Sequence, residues 1–342
     1  MAAIGVNWSP DTRIPGGGMQ VAVTGSGIAG LACAERLVAA GATVQVFDKA
    51  RGPGGRLATR RSGDWQADIG AQYFTARDPG FRQAVGDWEQ AGVVAPWDAS
   101  AVRLEAGTAE RVEDGQARWV GVPRMSALTR HLAEEVGVEF GCRITAIEAV
   151  DGGWQLRSEQ GEARGPFDAV AVAIPAPQAA VLLERAAPSL AAEAGAVPMA
   201  GCWAAVLAVD AVEMPWEAAF VINHPLRWIA HDGGKPGRDG SATWVAHAGP
   251  EWSAARMEQT AEATLPELVA LFEEATGTTG WVRGLLAHKW RYSQSPQALA
   301  SGCLFDPQAR IGACGDWCGG HRVEAAWLSG RELAGRILDA KQ

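Results

Sequence analysis

A chain of 342 residues, 48% hydrophobic and 20% charged, has room for about two globular domains and the composition to bury a large core. Its net charge of −9 with no basic cluster argues against nucleic acid and anionic membrane as partners, and no run of 18 apolar residues offers a transmembrane span. The first 18 residues, with Pro10, Pro15 and Gly16–Gly18, lack the apolar core and cleavage site of a secretory signal, so the expectation is a disordered extension before a native start at Met19, cytoplasmic localisation and six reduced cysteines.

In chain order, the first element is Val21–Thr24, a short apolar, β-branched run that reads as a buried parallel strand. Gly25-Ser-Gly-Ile-Ala-Gly30 follows. In that pattern Gly25 allows a tight turn, Gly27 lets backbone approach a pyrophosphate, and Gly30 lets the next helix lie close to the strand. The helix is expected from about Ile28 to Ala40, with apolar residues at Leu31, Ala34, Leu37 and Val38. The free N–H groups of its first turn, around Ile28 and Ala29, carry about half a positive charge and favour an anion. Gly41 reads as the C-cap, and Thr43–Phe47 as the second strand. Asp48 closes that strand 18 positions after Gly30, where a carboxylate accepts both hydroxyls of an adenosine ribose.

A lone GxGxxG is weak evidence. Strand, glycines, helix, strand and terminal acid in order make a dinucleotide site, without choosing between NAD and FAD. The continuation Asp48-Lys49-Ala-Arg-Gly-Pro-Gly-Gly55-Arg56 makes that choice: it places a guanidinium near the pyrophosphate, although a basic surface loop would look similar. Asp68-Ile-Gly70-Ala71-Gln72-Tyr73-Phe74-Thr75 then offers a glycine and an alanine whose backbone can lie against a flat ring.

The middle of the chain builds scaffold. Phe81–Gln90 and Pro266–Ala275 read as helices, and Val138–Ile144 as a strand whose backbone at Ile144 receives the adenine. Asp168–Ile174 reads as another buried strand, broken by Pro175 and Pro177 into a crossing to a second domain. Trp203–Val209 and Ala242–Ala248 read as strands of a mixed sheet. Near the C-terminus, Ile311–Asp316 reads as a last strand ending in the carboxylate of Asp316, after Gly315, placed to grip the sugar-alcohol chain of a flavin. The run Arg322–Gly330 opens a helix whose N-terminus, at Val323 and Glu324, aims at the flavin N1–O2 edge. The cradle and this C-terminal half together imply FAD held along its length.

These segments, with Arg118–Ala127, Ala173–Gln178, Lys235–Asp239, His288–Gln294 and Cys314–Cys318, resemble the glutathione-reductase-like FAD oxidoreductases of the amine-oxidase branch, and within it the renalase family of bacteria. The resemblance covers the chain from about Met19 to its end. It implies an α/β fold: a Rossmann-like FAD-binding domain (glutathione-reductase/p-hydroxybenzoate-hydroxylase-like) with a mixed-sheet α+β substrate domain. The expected division is a discontinuous FAD domain over 19–75, 115–178 and 285–342, and a substrate domain over 76–114 and 179–284. It also implies non-covalent FAD, mis-reduced isomers of NAD(P)H as substrates and O2 as the acceptor, in a monomer or weak oligomer that binds no metal. The sequence departs from the bacterial pattern at Lys289 and Ser293–Ser295, and the isomer and the NAD or NADP form stay open.

The pocket is the least defined part. Gln72, Tyr73, Phe74, Trp290 and Tyr292 flank the two flavin segments and are candidates to contact substrate; Arg238 and His247 join them, against plainer readings as a solvated turn arginine and a buried histidine. Most of the 15 tryptophans are expected in the core. Cys314 and Cys318 have no zinc-site spacing and read as packing. Two other functions fit the same cofactor. An amine oxidase would want an aromatic cage, for which only two tyrosines are present; a non-catalytic redox sensor would use Cys314 and Cys318.

Overall fold

The computed structural model describes residues 18–209 and 214–340, so the extension expected over 1–18 lies, but for Gly18, outside the described residues. A six-stranded sheet forms the centre of the FAD side, in the order Leu304–Asp306, Ile311–Ala313, Ala169–Val172, Gln20–Thr24, Thr43–Asp48 and Val138–Phe140. All neighbours run parallel except Leu304–Asp306, antiparallel at the edge. The apolar runs follow from burial on both faces. Val21, Val23, Val46, Ala169 and Ala171 pack to one side, whereas Ala22, Phe47, Val170, Val172 and Ile311 pack to the other.

The first side is covered by helices Ile28–Ala39, Ser126–Val136 and Val323–Asp339. The first and last of these touch so closely that a Cβ on Gly330 would stand 2.0 Å from the Ala29 carbonyl oxygen. The second side is covered by a three-stranded sheet within residues 144–167 and by helices Ala176–Leu183 and Pro188–Gly195. Here the structure corrects the sequence reading. Pro175 and Pro177 do not send the chain across to the roof: Pro175 caps a helix and Pro177 sits in its first turn, where no N–H is needed. The expected strand Val138–Ile144 is likewise two strands, Val138–Phe140 and Ile144–Val150, separated at Gly141, whose φ is 71°.

The roof is a seven-stranded sheet ordered Val282–Gln294, Ala200–Val209, Thr243–Ala248, Leu226–His231, Ala218–Val221, Ala101–Glu105 and Thr108–Arg111. Helix Ala261–Thr276 covers its outer face, started by the Thr260 hydroxyl accepting from Ala263 N–H and ended by left-handed Gly277. Strand Val282–Gln294 belongs to the roof through its ladder with Ala200–Val209, so the FAD side resumes only after it. Residues in register across a sheet share a face. One inward row therefore reads His288, Ala204, His247, Trp228 and Phe220, and the next reads Leu286, Val206, Val245, Ala230 and Ala218. Val206 and Val245 pack against Ala67 and Ile69, which brings the inner face onto the segment that leads to Gln72.

Candidate cofactor and substrate site

The glycines of the cradle divide by what surrounds them. Gly25 has φ +100°, and a Cβ there would stand 2.4 Å from the Ala173 carbonyl oxygen; one on Gly30 would stand 2.0 Å from the Gly25 carbonyl oxygen. Both close the strand–turn–helix unit. A Cβ on Gly27 would meet nothing within 4 Å, so the turn is open where Ile28 and Ala29 begin the helix. This is a backbone surface at a helix N-terminus shaped to receive an anion. Asp48 stands at its lip: one carboxylate oxygen accepts from the Ser26 N–H and hydroxyl, both at 2.6 Å, and the other from Ala50 N–H at 2.7 Å. Lys49 is exposed beside it, and Gly55, at φ 52°, lies against Gly27.

Arg56 and Asp316, 260 positions apart, meet. The guanidinium donates to the two Asp316 oxygens at 2.8 and 2.5 Å, a bidentate pair, and to the Ser293 carbonyl at 2.8 Å. The Arg56 carbonyl accepts from Ala71 N–H at 2.9 Å, and a Cβ on Gly70 would stand 1.9 Å from that same oxygen. Gly70, Ala71, Arg56 and Asp316 thus form one surface. Gly315 N–H donates to the Ser329 hydroxyl, tying Asp316 to the last helix. At the start of that helix, after Val323, the Glu324 carboxylate accepts from Arg77 and Asp78 N–H, both 2.6 Å. The Glu324 side chain therefore holds the chain before helix Pro79–Gln90, leaving backbone as that residue's route to a cofactor. Ile144 opens its strand at the margin of the core around Phe47.

The roof side is aromatic. Tyr73 lies 5.3 Å from Trp228 and 6.4 Å from Trp97, and Trp228 lies 4.8 Å from Phe220. Arg118 stands over the Tyr73 ring and Lys235 over the Trp97 ring. Trp290 donates from Nε1 to the Ile69 carbonyl at 2.9 Å and packs against His288; Tyr292 lies two residues further along that strand, half-buried. His247 Nε2 lies 3.2 Å from the same Ile69 oxygen, and as that atom only accepts, Nε2 carries the hydrogen. Burial pushes His247 down to about 4, and burial with the Arg60 charge does the same for His288. Both are neutral imidazoles near pH 7.

Two substrate candidates belong elsewhere. Phe74 faces the core, 6.0 Å from Phe81, because neighbouring residues of an extended segment point to opposite sides. Arg238 is neither a solvated turn residue nor free for a phosphate: it is buried, donating to Asp68, to the Gly121 carbonyl at 2.8 Å and to the Pro236 carbonyl at 2.9 Å. Gln72 is buried, with its amide turned back on its own loop. Sequence reasoning missed Asp68, Asp232 and Lys235 as one cluster; the signal was Asp232 and Lys235 three residues apart in a glycine- and proline-rich turn between apolar strands. It also missed Trp97 and Trp228, which no local pattern marks, and Arg118, which falls in a segment that carries the family resemblance but was given no role. Among the described residues no group of three His, Cys, Asp or Glu is placed to hold a metal ion.

An open phosphate turn, a carboxylate ending the second strand, and a guanidinium–carboxylate pair beside a flat Gly70–Ala71 backbone fit an extended dinucleotide with a planar ring. Comparisons with known proteins agree. Residues 23–87 match the NAD(P)-binding Rossmann-like domain, and residues 90–338 match flavin containing amine oxidoreductase. Similar solved structures include a protein assigned as a protoporphyrinogen oxidase from Exiguobacterium sp. 255-15, with TM-score 0.75, 13% identity and 95% and 100% of the two chains covered. Putrescine oxidase gives TM-score 0.67 at 14% identity over 94% and 100%, and an oxidoreductase from Methanosarcina mazei 0.69 at 14% over 92% and 99%. At these identities the likeness is one of fold. A curated relative, the tRNA 5-methylaminomethyl-2-thiouridine biosynthesis bifunctional protein MnmC of Cupriavidus necator, is 29% identical over 41% of this chain, which spans only 28% of that protein. With the second family model spanning well over half of its length, the chain belongs to the flavin containing amine oxidoreductases, and its cofactor is FAD.

Proposed function

We propose that this protein is a renalase-like oxidase that takes hydride from mis-reduced isomers of NAD(P)H, reduced at ring position 2 or 6. It returns them to NAD(P)+ while O2 and a proton become H2O2, which is metabolite repair. The observation that carries this reading is a site rich in flat aromatic surface and poor in bases. His247 and His288 are both held near 4. The carboxylates of Asp68, Asp232, Asp316 and Glu324 are all bonded to partners inside the protein. A dihydropyridine that loses hydride becomes an aromatic cation without shedding a proton, so its oxidation asks for alignment rather than a base.

Bound FAD supplies the two-electron acceptor. The chain's own residues do the rest. The open turn at Gly27 and the carboxylate of Asp48 hold the adenosine end, and Arg56 and Asp316 flank the middle. Tyr73 and Phe220, half-buried and backed by the buried rings of Trp97 and Trp228, give a stacking surface for a second planar ring. Arg118 and Lys235 back that surface from inside the protein, each over an aromatic ring and each already paired with a carboxylate. Non-covalent attachment is the mode that the resemblance implies, and burial of the two thiols supports it, pushing Cys318 up to about 12 and Cys314 well above the usual thiol range. The same upward push disfavours a redox sensor built on these two residues.

Anaerobic stopped-flow against the 2- and 6-dihydro isomers, with ordinary NADH and a panel of amines as controls, tests the reading. Rapid loss of the flavin visible absorbance with one of the isomers, restored by air, is expected. Loss with an amine alone makes the protein an amine oxidase, and no loss in FAD-loaded protein rejects both.

A further inference from the structure

Beneath the segment that joins strand Trp65–Asp68 to Tyr73 lie four ionisable side chains sealed from water. Asp68, Asp232, Lys235 and Arg238 expose 0, 1, 0 and 1% of their side chains. Lys235 Nζ is 2.7 Å from Asp232, 3.6 Å from Asp68 and 3.1 Å from the Gln72 Oε1. Asp68 also accepts from the Thr59 hydroxyl at 2.6 Å, from Met125 N–H at 3.0 Å and from Arg238. We propose that Lys235 is a positioning residue for the flavin-facing loop: its ammonium fixes the amide of Gln72, and Gln72 fixes the backbone of Gly70 and Ala71. This rests on the FAD reading of that loop.

The argument is one of donors and acceptors. An amide side chain has two chemically different ends, and its partners decide which way it points. Lys235 only donates, so the end facing it is Oε1. Nε2 then faces the Asp68 and Gly70 carbonyls, which only accept. Both ends agree, and reversing the amide would set donor against donor and acceptor against two acceptors. The single NH2 group ties together two carbonyls separated by Ile69, and the Ile69 carbonyl is itself taken by His247 and Trp290. Three successive carbonyls are thereby drawn off, and the last of them, that of Gly70, sets the plane of its own peptide. That peptide links Gly70 to Ala71, the pair that lies against Arg56.

Stability alone does not account for this arrangement. Four buried charges forgo hydration that a cluster of apolar side chains would never have needed, and replacing such networks by apolar groups is often neutral or favourable. What a charge lattice gives and apolar packing does not is direction. The lattice draws on the turn after strand Leu226–His231, on the end of strand Trp65–Asp68 and on the start of helix Ser126–Val136, so the loop is referenced to roof and floor together.

The test compares wild-type protein with Gln72→Met and with Lys235→Met made together with Asp232→Asn, a pair of changes that leaves no buried charge unbalanced. These two variants and their combination are compared for FAD dissociation constant, position and resolution of the flavin visible bands, and two-electron midpoint potential; thermal unfolding is followed separately. The expected result is that each of the two variants weakens FAD by about tenfold and shifts the bands and the potential in the same direction, while the combination goes no further than the larger of the two. Shifts that sum, or bands and potential that stay put while only the melting temperature falls, overturn the proposal. Ala71→Leu tests the premise separately. Loss of FAD is expected, and a variant that keeps FAD with unaltered bands removes the loop from the flavin and the proposal with it.

Discussion

The cradle and the roof hold their functional groups by opposite means. In the cradle, position is set by the absence of side chains: Gly25 and Gly30 let backbone meet backbone at distances no Cβ would permit, and Gly27 leaves a gap. On the roof, position is set by side chains that pair with one another, as Lys235 does with Asp232 and Asp68, and Arg238 with Asp68. Close backbone contact tolerates almost no added volume but is indifferent to pH. A buried lattice tolerates small changes of shape but not the loss of one charge. The two regions should therefore fail under different challenges.

The largest effect is expected from Asp68→Ala, which strands Arg238 and leaves Lys235 with Asp232 alone; removing one partner of such a network costs about 3–5 kcal/mol, read as a lowered urea midpoint. Acid should also strike the roof first. His247 and His288 are held near 4 in the folded state, whereas in the unfolded chain they titrate near 6.5. Between those values the unfolded state binds more protons, so stability is full above about pH 6.5 and is lost as the pH falls toward 4. Asp68, for which Lys235, Arg238 and two donated hydrogen bonds outweigh the upward push of burial, is held low and adds a loss in the same direction at still lower pH. The unfolding free energy from urea titrations should fall by about a few kcal/mol in total from pH 7 to 4, and His247→Gln, which keeps a donor toward Ile69, should remove much of the slope.

The cradle is broken by volume. Gly30→Ala is expected to cost about 1–3 kcal/mol of overpacking and to abolish FAD retention. Its companion sharpens the contrast: Gly27→Ala should leave the apoprotein as stable as before and still weaken FAD, since the new methyl enters open space. The smallest effect is Arg56→Lys, which keeps the charge but loses the bidentate geometry toward Asp316; a drop in FAD affinity of about tenfold, or roughly 1.4 kcal/mol, is expected by titration. A cradle variant with a strong pH dependence, or a roof variant without one, would undo the contrast.

The same difference explains what was legible in the sequence. The cradle is nearly contiguous, so strand, turn, helix and Asp48 could be read from residues 20–48 alone. Arg56 and Asp316 were each recognisable, though nothing local says that they touch. The roof row His288, Ala204, His247, Trp228 and Phe220 takes one residue from each of five strands, and register between distant strands is set by tertiary packing. Arg238 looked like a surface residue because its turn is polar and largely exposed; its side chain points inward, where Asp68, 170 positions away, and two backbone carbonyls receive it. Pro177 misled for a simpler reason: a proline that ends one element can equally begin a helix.

The contact between Gly330 and Ala29 carries a consequence for how the protein is made. The phosphate turn is synthesised about 300 residues before the helix that lies against it. At about 5–20 residues per second, some 15–60 seconds separate the two on the ribosome. Throughout that interval the outer side of the first helix is bare, and its small residues, Ala29 among them, wait for a surface not yet translated. Cofactor capture thus waits on the translation of Gly330: a nascent chain stalled before that residue holds half a site.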